Sequence, residues 1–371
     1  MKKILHIQVL PKLSGVQKIS LEILKALPSD YEKFILFGNS LDCGDKQDCI
    51  KQFQKAGVKV LFLDELHREI CLQDFKACYK IYKLCKKEKF DIVHTNSTKP
   101  GIIGRIAATL AHTRLVVHTV HGLSFHKFIK FPKWQFYWMC EMFASFFCHK
   151  IVLVNQFYSK YFRFFKNKVS TIYNGIDFSC MPTPIPLEPA THKRILFVGR
   201  LDTPKNPITL LKAANIVLKK YPCTVFTLVG DGEKFNECQN FIKQNNLQNN
   251  IKLEGWQKDT YKYYQQNDIF AMSSIYESFG LIFLEASFYK LPIIATNVEG
   301  IPEVVKDKET GLLCDPLDHQ ALANNIITLI ESPSLCNELG TKGQERALSL
   351  FNSQRMVNEY LSLYETAFKN D

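Results

Sequence analysis

The chain has 371 residues, 46% of them hydrophobic, enough for well-formed cores in two domains of ordinary size. Its net charge of +11 is uneven: residues 1–180 hold 28 Lys and Arg against 14 Asp and Glu, a net of +14, and the remainder is −3. The basic half predicts an anionic partner or surface, with no nucleic-acid-binding motif beside it, and the lack of any run of about twenty uncharged apolar residues predicts no membrane-spanning helix.

Residues 4–9 form a short apolar strand, 11–15 a turn and 16–27 a helix by spacing. This strand, loop and helix is the usual opening of a nucleotide-binding α/β domain, although G-x-G-x-x-G is absent and only Ser14-Gly15 remains. Residues 34–37 and 58–62 read as strands, 67–88 as a long helix, 91–94 as a strand, 95–98 as a loop and 100–111 as a helix. Residues 115–120 form a strand ending at His121-Gly122, and 151–154 and 169–172 close the series. Strands alternating with helices predict α/β architecture with a parallel sheet covered on both faces. Ligands of such sheets gather at the carboxyl ends of the strands, where Ser14, His94, Asn96 and His121 fall.

Asn174-Gly-Ile-Asp177 reads as a closing turn, and residues 181–189 carry four prolines, the clearest linker in the chain. The expected division is therefore residues 1–180, a linker over 181–192, and a second domain over 193–350. Strands are expected there at 194–198, 224–229, 251–253, 268–272 and 292–295. Residues 351–368 form an amphipathic helix with Met356, Tyr360, Leu363 and Tyr364 on one face.

Twelve cysteines contain no C-x-x-C pair; Cys71, Cys78 and Cys85 recur every seven residues, a spacing explained by packing along one helix face. Lys2 and Lys3 precede an apolar run that reads as a first strand, not a signal peptide, so free thiols in a reducing cytoplasm are expected.

The chemistry concentrates in the second half. Glu277-Ser-Phe-Gly-Leu-Ile-Phe-Leu-Glu285 follows a strand and enters a helix, with Glu277 on the loop and Glu285 about two turns inside. Eight residues return a helix to nearly the same face, so two carboxylates can address one cleft at two depths. Between them the backbone N–H groups near Phe279, Gly280 and Leu281 can meet an anion, and Gly280 allows close approach. This suits a nucleotide-sugar; the alternative is a helix-capping Glu277 and a solvated Glu285. Gly199-Arg-Leu-Asp-Thr-Pro-Lys-Asn206 places Arg200 and Lys205 at a strand end, where they can meet a diphosphate or merely flank a loop as surface cations. No Asp-x-Asp metal motif is present, so these two cations would stand in for a metal. Gly230-Asp231-Gly232 is a turn near a base or ribose, or a plain turn; Trp256 is a wall against the nucleobase, or a core tryptophan. His121 can donate to a sugar hydroxyl or organise the cleft, with His94 and His118 as structural histidines.

Gly199-Arg200…Lys205-Asn206, Gly230-Asp231-Gly232, the Glu277/Glu285 pair, His121-Gly122 and Asn174-Gly175-Ile176-Asp177 occur in the order found in the retaining GT-B glycosyltransferases. Over essentially its full length the chain resembles the family 4-like bacterial branch that builds capsule, lipopolysaccharide and lipid-linked glycans. The resemblance implies two Rossmann-like domains facing across a cleft, with the last helix crossing back to the N-terminal one. It implies a nucleotide-sugar donor against the C-terminal domain and a glycan acceptor against the N-terminal one. By position, Arg200 and Lys205 hold the diphosphate, Glu277 faces the sugar, Glu285 the ribose, Phe279 and Gly280 offer backbone donors, and His121 lies near the sugar. Ser14 stands where the family often has a second glycine. Retention without a clear nucleophile implies a front-face route, and no catalytic base is named.

Residues 125–138 interleave aromatics with Lys127, Lys130 and Lys133, and residues 158–168 repeat the mixture, so this half can dock on an anionic inner-membrane surface or bury its aromatics as core. The expected activity is transfer of a sugar, from UDP by preference, to a lipid-linked saccharide or lipopolysaccharide acceptor. The alternatives are a non-catalytic nucleotide-binding scaffold and a nucleotide-sugar epimerase or phosphorylase on the same fold.

Overall fold

The computed structural model of the protein describes residues 1–39, 46–67, 71–126, 128–185 and 193–369. It divides into two compact units, residues 1–174 with the C-terminal stretch from Ser353, and Gly175–Asn352.

The first unit alternates β1 (Lys2–Ile7), α1 (Gly15–Ala26), β2 (Tyr31–Gly38), α2 (Lys46–Lys55), β3 (Val58–Leu63), α3 (Gln73–Glu88), β4 (Ile92–Asn96), α4 (Thr98–Leu110), β5 (Leu115–Val120), α5 (Lys133–Ser145), β6 (Lys150–Leu153) and β7 (Val169–Thr171). All seven strands are parallel, in the order β3-β2-β1-β4-β5-β6-β7. Helices on both faces explain why β4 and β5 are buried at every position and read as continuous apolar runs.

The second unit contains β8 (Arg194–Val198), α6 (Pro207–Lys220), β9 (Val225–Val229), α7 (Phe235–Gln244), β10 (Ile251–Gly255), α8 (Tyr261–Gln265), β11 (Ile269–Ala271), α9 (Leu281–Phe288), β12 (Ile293–Thr296), α10 (Ile301–Val304), β13 (Gly311–Cys314), α11 (His319–Glu331) and α12 (Pro333–Leu350). Its six parallel strands run β10-β9-β8-β11-β12-β13. In each sheet the strand order reverses once, between β1 and β4 and between β8 and β11. Loops leaving two strands on either side of such a reversal diverge and leave a crevice.

The chain's last helix, α13 (Ser353–Glu365), returns to the first unit and buries Met356, Val357, Tyr360 and Tyr364, with Leu363 half-buried. Its two tyrosine hydroxyls satisfy polar groups that the sheet buries. Tyr364 Oη lies 2.6 Å from His94 Nδ1 and 3.2 Å from His6 Nε2, and Tyr360 Oη lies 3.0 Å from Thr119 Oγ1. His94 Nε2 in turn meets Thr119 Oγ1 at 2.7 Å. This is how histidines persist on core strands: each buried ring finds a partner on the returning helix or a neighbouring strand.

Several boundaries differ from expectation for identifiable reasons. The helix read over 67–88 starts at Gln73, so exposed Cys71 precedes it, and only half-buried Cys78 and buried Cys85 pack from the helix. The final helix starts at Ser353 and not 351, because Phe351 is drawn onto the second unit, where its N–H donates to Ala347 O. The proline-rich stretch is described to residue 185; 186–192 lie outside the described residues. Its start is strapped onto the second unit, with Phe178 stacked on Phe288 at 5.6 Å and Tyr289 Oη donating to Pro182 O at 3.0 Å. Strand β13 went unread because its four residues, Gly311–Cys314, carry too short an apolar run to stand out.

Candidate functional site

In the second unit the carboxyl ends of β8, β9 and β10 are laced together by backbone. Gly199 N–H donates to Val229 O at 2.9 Å, Gly230 N–H to Gly255 O at 2.8 Å, and Leu201 N–H to Asp231 O at 3.0 Å. Gly230 has φ +142°, and a Cβ there would fall 1.9 Å from the Gly199 carbonyl oxygen. Only glycine lets these two loops meet so closely. Asp231 is exposed and accepts from Gly232 N–H at 2.7 Å, tightening the turn.

The loop from Gly199 to Asn206 is folded around Asp202. One of its oxygens accepts from Lys205 N–H at 3.0 Å, and the other meets Arg200 Nη2 at 2.8 Å. Arg200 keeps 68% of its side chain in solvent, available to an anion. Lys205 points the other way, into an ion pair with Glu277, and both side chains are largely buried.

Glu277 reaches that position because the β11–α9 loop is sewn to the β8–α6 loop. Ile275 N–H donates to Pro204 O at 2.8 Å and Ser273 Oγ to Asn206 O at 2.8 Å. These two loops flank the strand-order reversal of this sheet. Gly280 adopts φ +84°, where a Cβ would lie 2.5 Å from the Phe283 ring, and α9 begins only at Leu281. Glu285 therefore sits in the second turn of α9, about one turn inside rather than the expected two. Its Oε2 accepts from Tyr264 Oη at 2.8 Å. Burial, and then the Glu285 charge, push the Tyr264 hydroxyl well above its usual range, so it stays a donor. Phe279 buries its ring against Phe351 at 5.5 Å, with its N–H 3.5 Å from Glu277 Oε1. Trp256, past β10, is 56% exposed and so is not a core tryptophan.

The first unit presents its own set beside the β1/β4 reversal. Ser14 stands at the N-cap position of α1, at the exposed end of the β1–α1 loop, Gly15 opens the helix, and Ser14 Oγ makes no capping bond but donates to Gln17 Oε1. Asn96 ends β4, and its Oδ1 lies 3.0 Å from His121 Nε2, one residue past β5. Burial pushes the His121 imidazole down to about 4, so it is neutral near pH 7. With Nε2–H donating to Asn96, Nδ1 is left as an acceptor for a hydroxyl proton.

Residues 13–179 match glycosyltransferase family 4, and residues 184–346 match the family described as glycosyl transferases group 1. The chain is 32% identical, over 98% of its length and 96% of the relative's, to the UDP-Gal:alpha-D-GlcNAc-diphosphoundecaprenol alpha-1,3-galactosyltransferase of Escherichia coli. The chain belongs to these glycosyltransferases. The same glycosyltransferase chain is 27% identical to the capsular polysaccharide biosynthesis glycosyltransferase CapM of Staphylococcus aureus, covering 99% of itself and 98% of CapM. Among solved structures it resembles Anabaena HepE in complex with UDP, with a TM-score of 0.82, 19% identity and 99% and 100% of the two chains covered. It also resembles a Rickettsia africae glycosyltransferase, with a TM-score of 0.79, 21% identity and 100% and 99% covered. The last two likenesses establish the GT-B fold.

Two residues of this glycosyltransferase escaped the sequence reading. Asp202 lay inside the quoted Gly199–Asn206 run, and its hint was a carboxylate placed between two cations. Tyr264 lay on α8, a five-residue helix with no motif to mark it. Among the described residues no helix is long and apolar enough to cross a membrane.

Proposed function

We propose that this glycosyltransferase moves a sugar, with retention, from a UDP-sugar to a lipid-linked saccharide of the kind used for capsule or lipopolysaccharide. The observation that carries the reading is the Lys205–Glu277 pair, held between the two loops at the β8/β11 reversal. A diphosphate competes for Lys205 and a sugar hydroxyl competes for Glu277, so the pair opens onto the two halves of one ligand. The relative in Escherichia coli is named for transfer from UDP-Gal to a GlcNAc-diphosphate lipid in an alpha linkage, which supports both donor and acceptor class.

In this reading Arg200 and Lys205 face the diphosphate, and Phe279, Gly280 and Leu281 offer backbone to it. Gly199, Gly230 and Asp231 shape the nucleotide's floor, Trp256 meets the base and Glu285 the ribose. Ser14, Gly15, Asn96 and His121 serve the saccharide. The bond from the anomeric carbon to the β-phosphate oxygen breaks while the acceptor oxygen bonds to that carbon from the same face. The acceptor's hydroxyl proton passes to the leaving phosphate oxygen, whose growing charge Arg200 and Lys205 stabilise in place of a metal. The enzyme is proposed to work from the cytoplasm, peripherally on the anionic face of the inner membrane.

The test is release of UDP across a panel of UDP- and GDP-sugars, with a lipid-diphosphate GlcNAc acceptor, with and without a chelator. Acceptor-dependent release from one UDP-sugar, unaffected by the chelator, and an alpha-linked product support the proposal. Nucleotide binding without turnover would favour a scaffold, and sugar-nucleotide conversion without acceptor an epimerase.

A further inference from the structure

Helix α5 is turned the wrong way for a helix whose outer face meets water. Its outward stripe is Phe136, Met139, Phe143 and, just past its end, Phe146, spaced three, four and three residues apart. Each is between 55% and 69% exposed. Its inward face holds a carboxylate, Glu141, which is buried and paired at 2.9 Å with the fully buried Arg105 of α4. A solvated helix normally carries its charge outside and its aromatics inside. Burying an ion pair is expensive, and breaking one buried partner away is more so, so this pair fixes the rotation of α5. Arg105 is further tied by its Nε to Gly101 O at 2.8 Å.

The apolar stripe extends onto a neighbour. The 3-10 turn Arg163–Lys168 lies beside the end of α5, with Phe165 edge-on to Phe146 at 5.0 Å and Lys168 Nζ donating to Cys148 O at 2.8 Å. That turn exposes 82% of Phe164, while Phe131, just before α5, is 80% exposed. Large apolar side chains exposed along one helix face, with more on the turn beside its end, mark a surface that something covers.

We infer that the outward face of α5, with Phe164, inserts into the headgroup boundary of an anionic lipid bilayer. This names the surface through which the lipid-borne acceptor proposed above is reached, and it rests on that reading only for its purpose. Charge decides between a bilayer and a second copy. From 123 to 172 the chain has seven Lys, one Arg and a single acid, Glu141, already buried and paired. Lys130, Lys133, Arg163 and Lys166 flank the patch in sequence. A two-fold contact between copies would set these cations against one another, whereas anionic headgroups neutralise them.

Flotation of the full chain with phosphatidylcholine vesicles, with and without phosphatidylglycerol, tests this. The wild type is expected to float with phosphatidylglycerol vesicles and less so as salt rises. Phe136→Ser/Met139→Ser/Phe143→Ser is expected to lose binding by about tenfold or more at an unchanged melting temperature, because the replaced side chains face out. Equal flotation of wild type and triple variant, or no flotation of the wild type at low salt, overturns the inference. So does a wild-type dimer that the triple variant abolishes in the absence of lipid. UDP release on a short-chain soluble acceptor is expected to be equal in the two proteins. If neither transfers any sugar yet only the wild type floats, the docking face stands and the transferase reading fails.

Discussion

Lys205 and Glu277, 72 residues apart in the chain, form one ion pair that joins the loop after β8 to the loop after β11. With 17% and 12% of their side chains exposed, each is the other's replacement for water. On the proposed reading, a donor separates them by offering an anion to Lys205 and a hydroxyl to Glu277. The pair thus ties the two loops together across the strand-order reversal.

Removing one partner leaves the other charge uncompensated. Lys205→Ala or Glu277→Ala is expected to destabilise the protein by about 1–3 kcal/mol, less than for a fully enclosed pair because of the residual exposure. The double variant is expected to be less destabilised than the two losses added together. Thermal unfolding of the four proteins measures this; strict additivity would mean the two side chains do not interact.

At the base of the site, Gly230→Ala is expected to act through backbone. A Cβ there would sit 1.9 Å from Gly199 O in a conformation of positive φ, so the loops after β8 and β9 must separate. The expected loss is about 1–3 kcal/mol of stability together with weaker nucleotide binding. Gly57→Ala serves as the control: its φ is also positive, but nothing lies within 4 Å of the added carbon. A Gly230→Ala protein no worse than this control contradicts the role of the close approach.

Tyr264→Phe deletes the hydroxyl that donates to Glu285 while keeping the ring stacked on Tyr289 at 5.9 Å. If Glu285 must be held to meet the ribose, nucleotide affinity is expected to fall by about three- to tenfold, the equivalent of one hydrogen bond. Unchanged affinity for UDP in a titration would detach Glu285 from the ribose.

The histidines set an acid limit. Burial pushes His6 down to about 3 and His121 to about 4, and His94 and His118 well below their usual value. In the unfolded chain the same rings take up protons below about pH 6.5. The folded state binds fewer protons in that range, so stability is complete above about pH 6.5 and falls as the pH drops toward 4. Each ring contributes about 1.4 kcal/mol per pH unit. Carboxylates held low, such as Glu65 at about 2 beside Lys80, add their losses only below about pH 4.5. Melting temperature is expected to fall between pH 7 and pH 5, and to fall less in His6→Phe. A flat profile over that interval would contradict the burial of these rings as neutral groups.

The strand and helix alternation was legible because buried parallel strands are short apolar runs between turn residues, and all seven strands of the first sheet were located this way. Arg200, Lys205 and Glu277 were legible as residues of loops that follow strands, whereas Glu285 lies inside α9. What failed was depth and direction. Gly280 delays the start of α9, which moves Glu285 up by a turn, and no pattern reports a left-handed residue before it is seen. The aromatics from Phe125 to Trp138 and on to Phe147 were undecided between core and surface. Trp134 and Trp138 prove half-covered, stacked 6.4 Å apart against the core, while Phe136 and Phe143 turn outward. The buried Arg105–Glu141 pair decides that rotation, and it joins residues on different helices that no local period connects.

The most direct test is calorimetric titration of UDP and UDP-galactose into the wild type, Lys205→Ala and Glu277→Ala. Lys205→Ala is expected to weaken both ligands by about tenfold or more, since both carry the diphosphate. Glu277→Ala is predicted to leave UDP within about threefold of wild type while erasing any added affinity from the sugar. Wild-type affinity for UDP in Lys205→Ala would contradict the claim that this pair marks where the activated sugar is held.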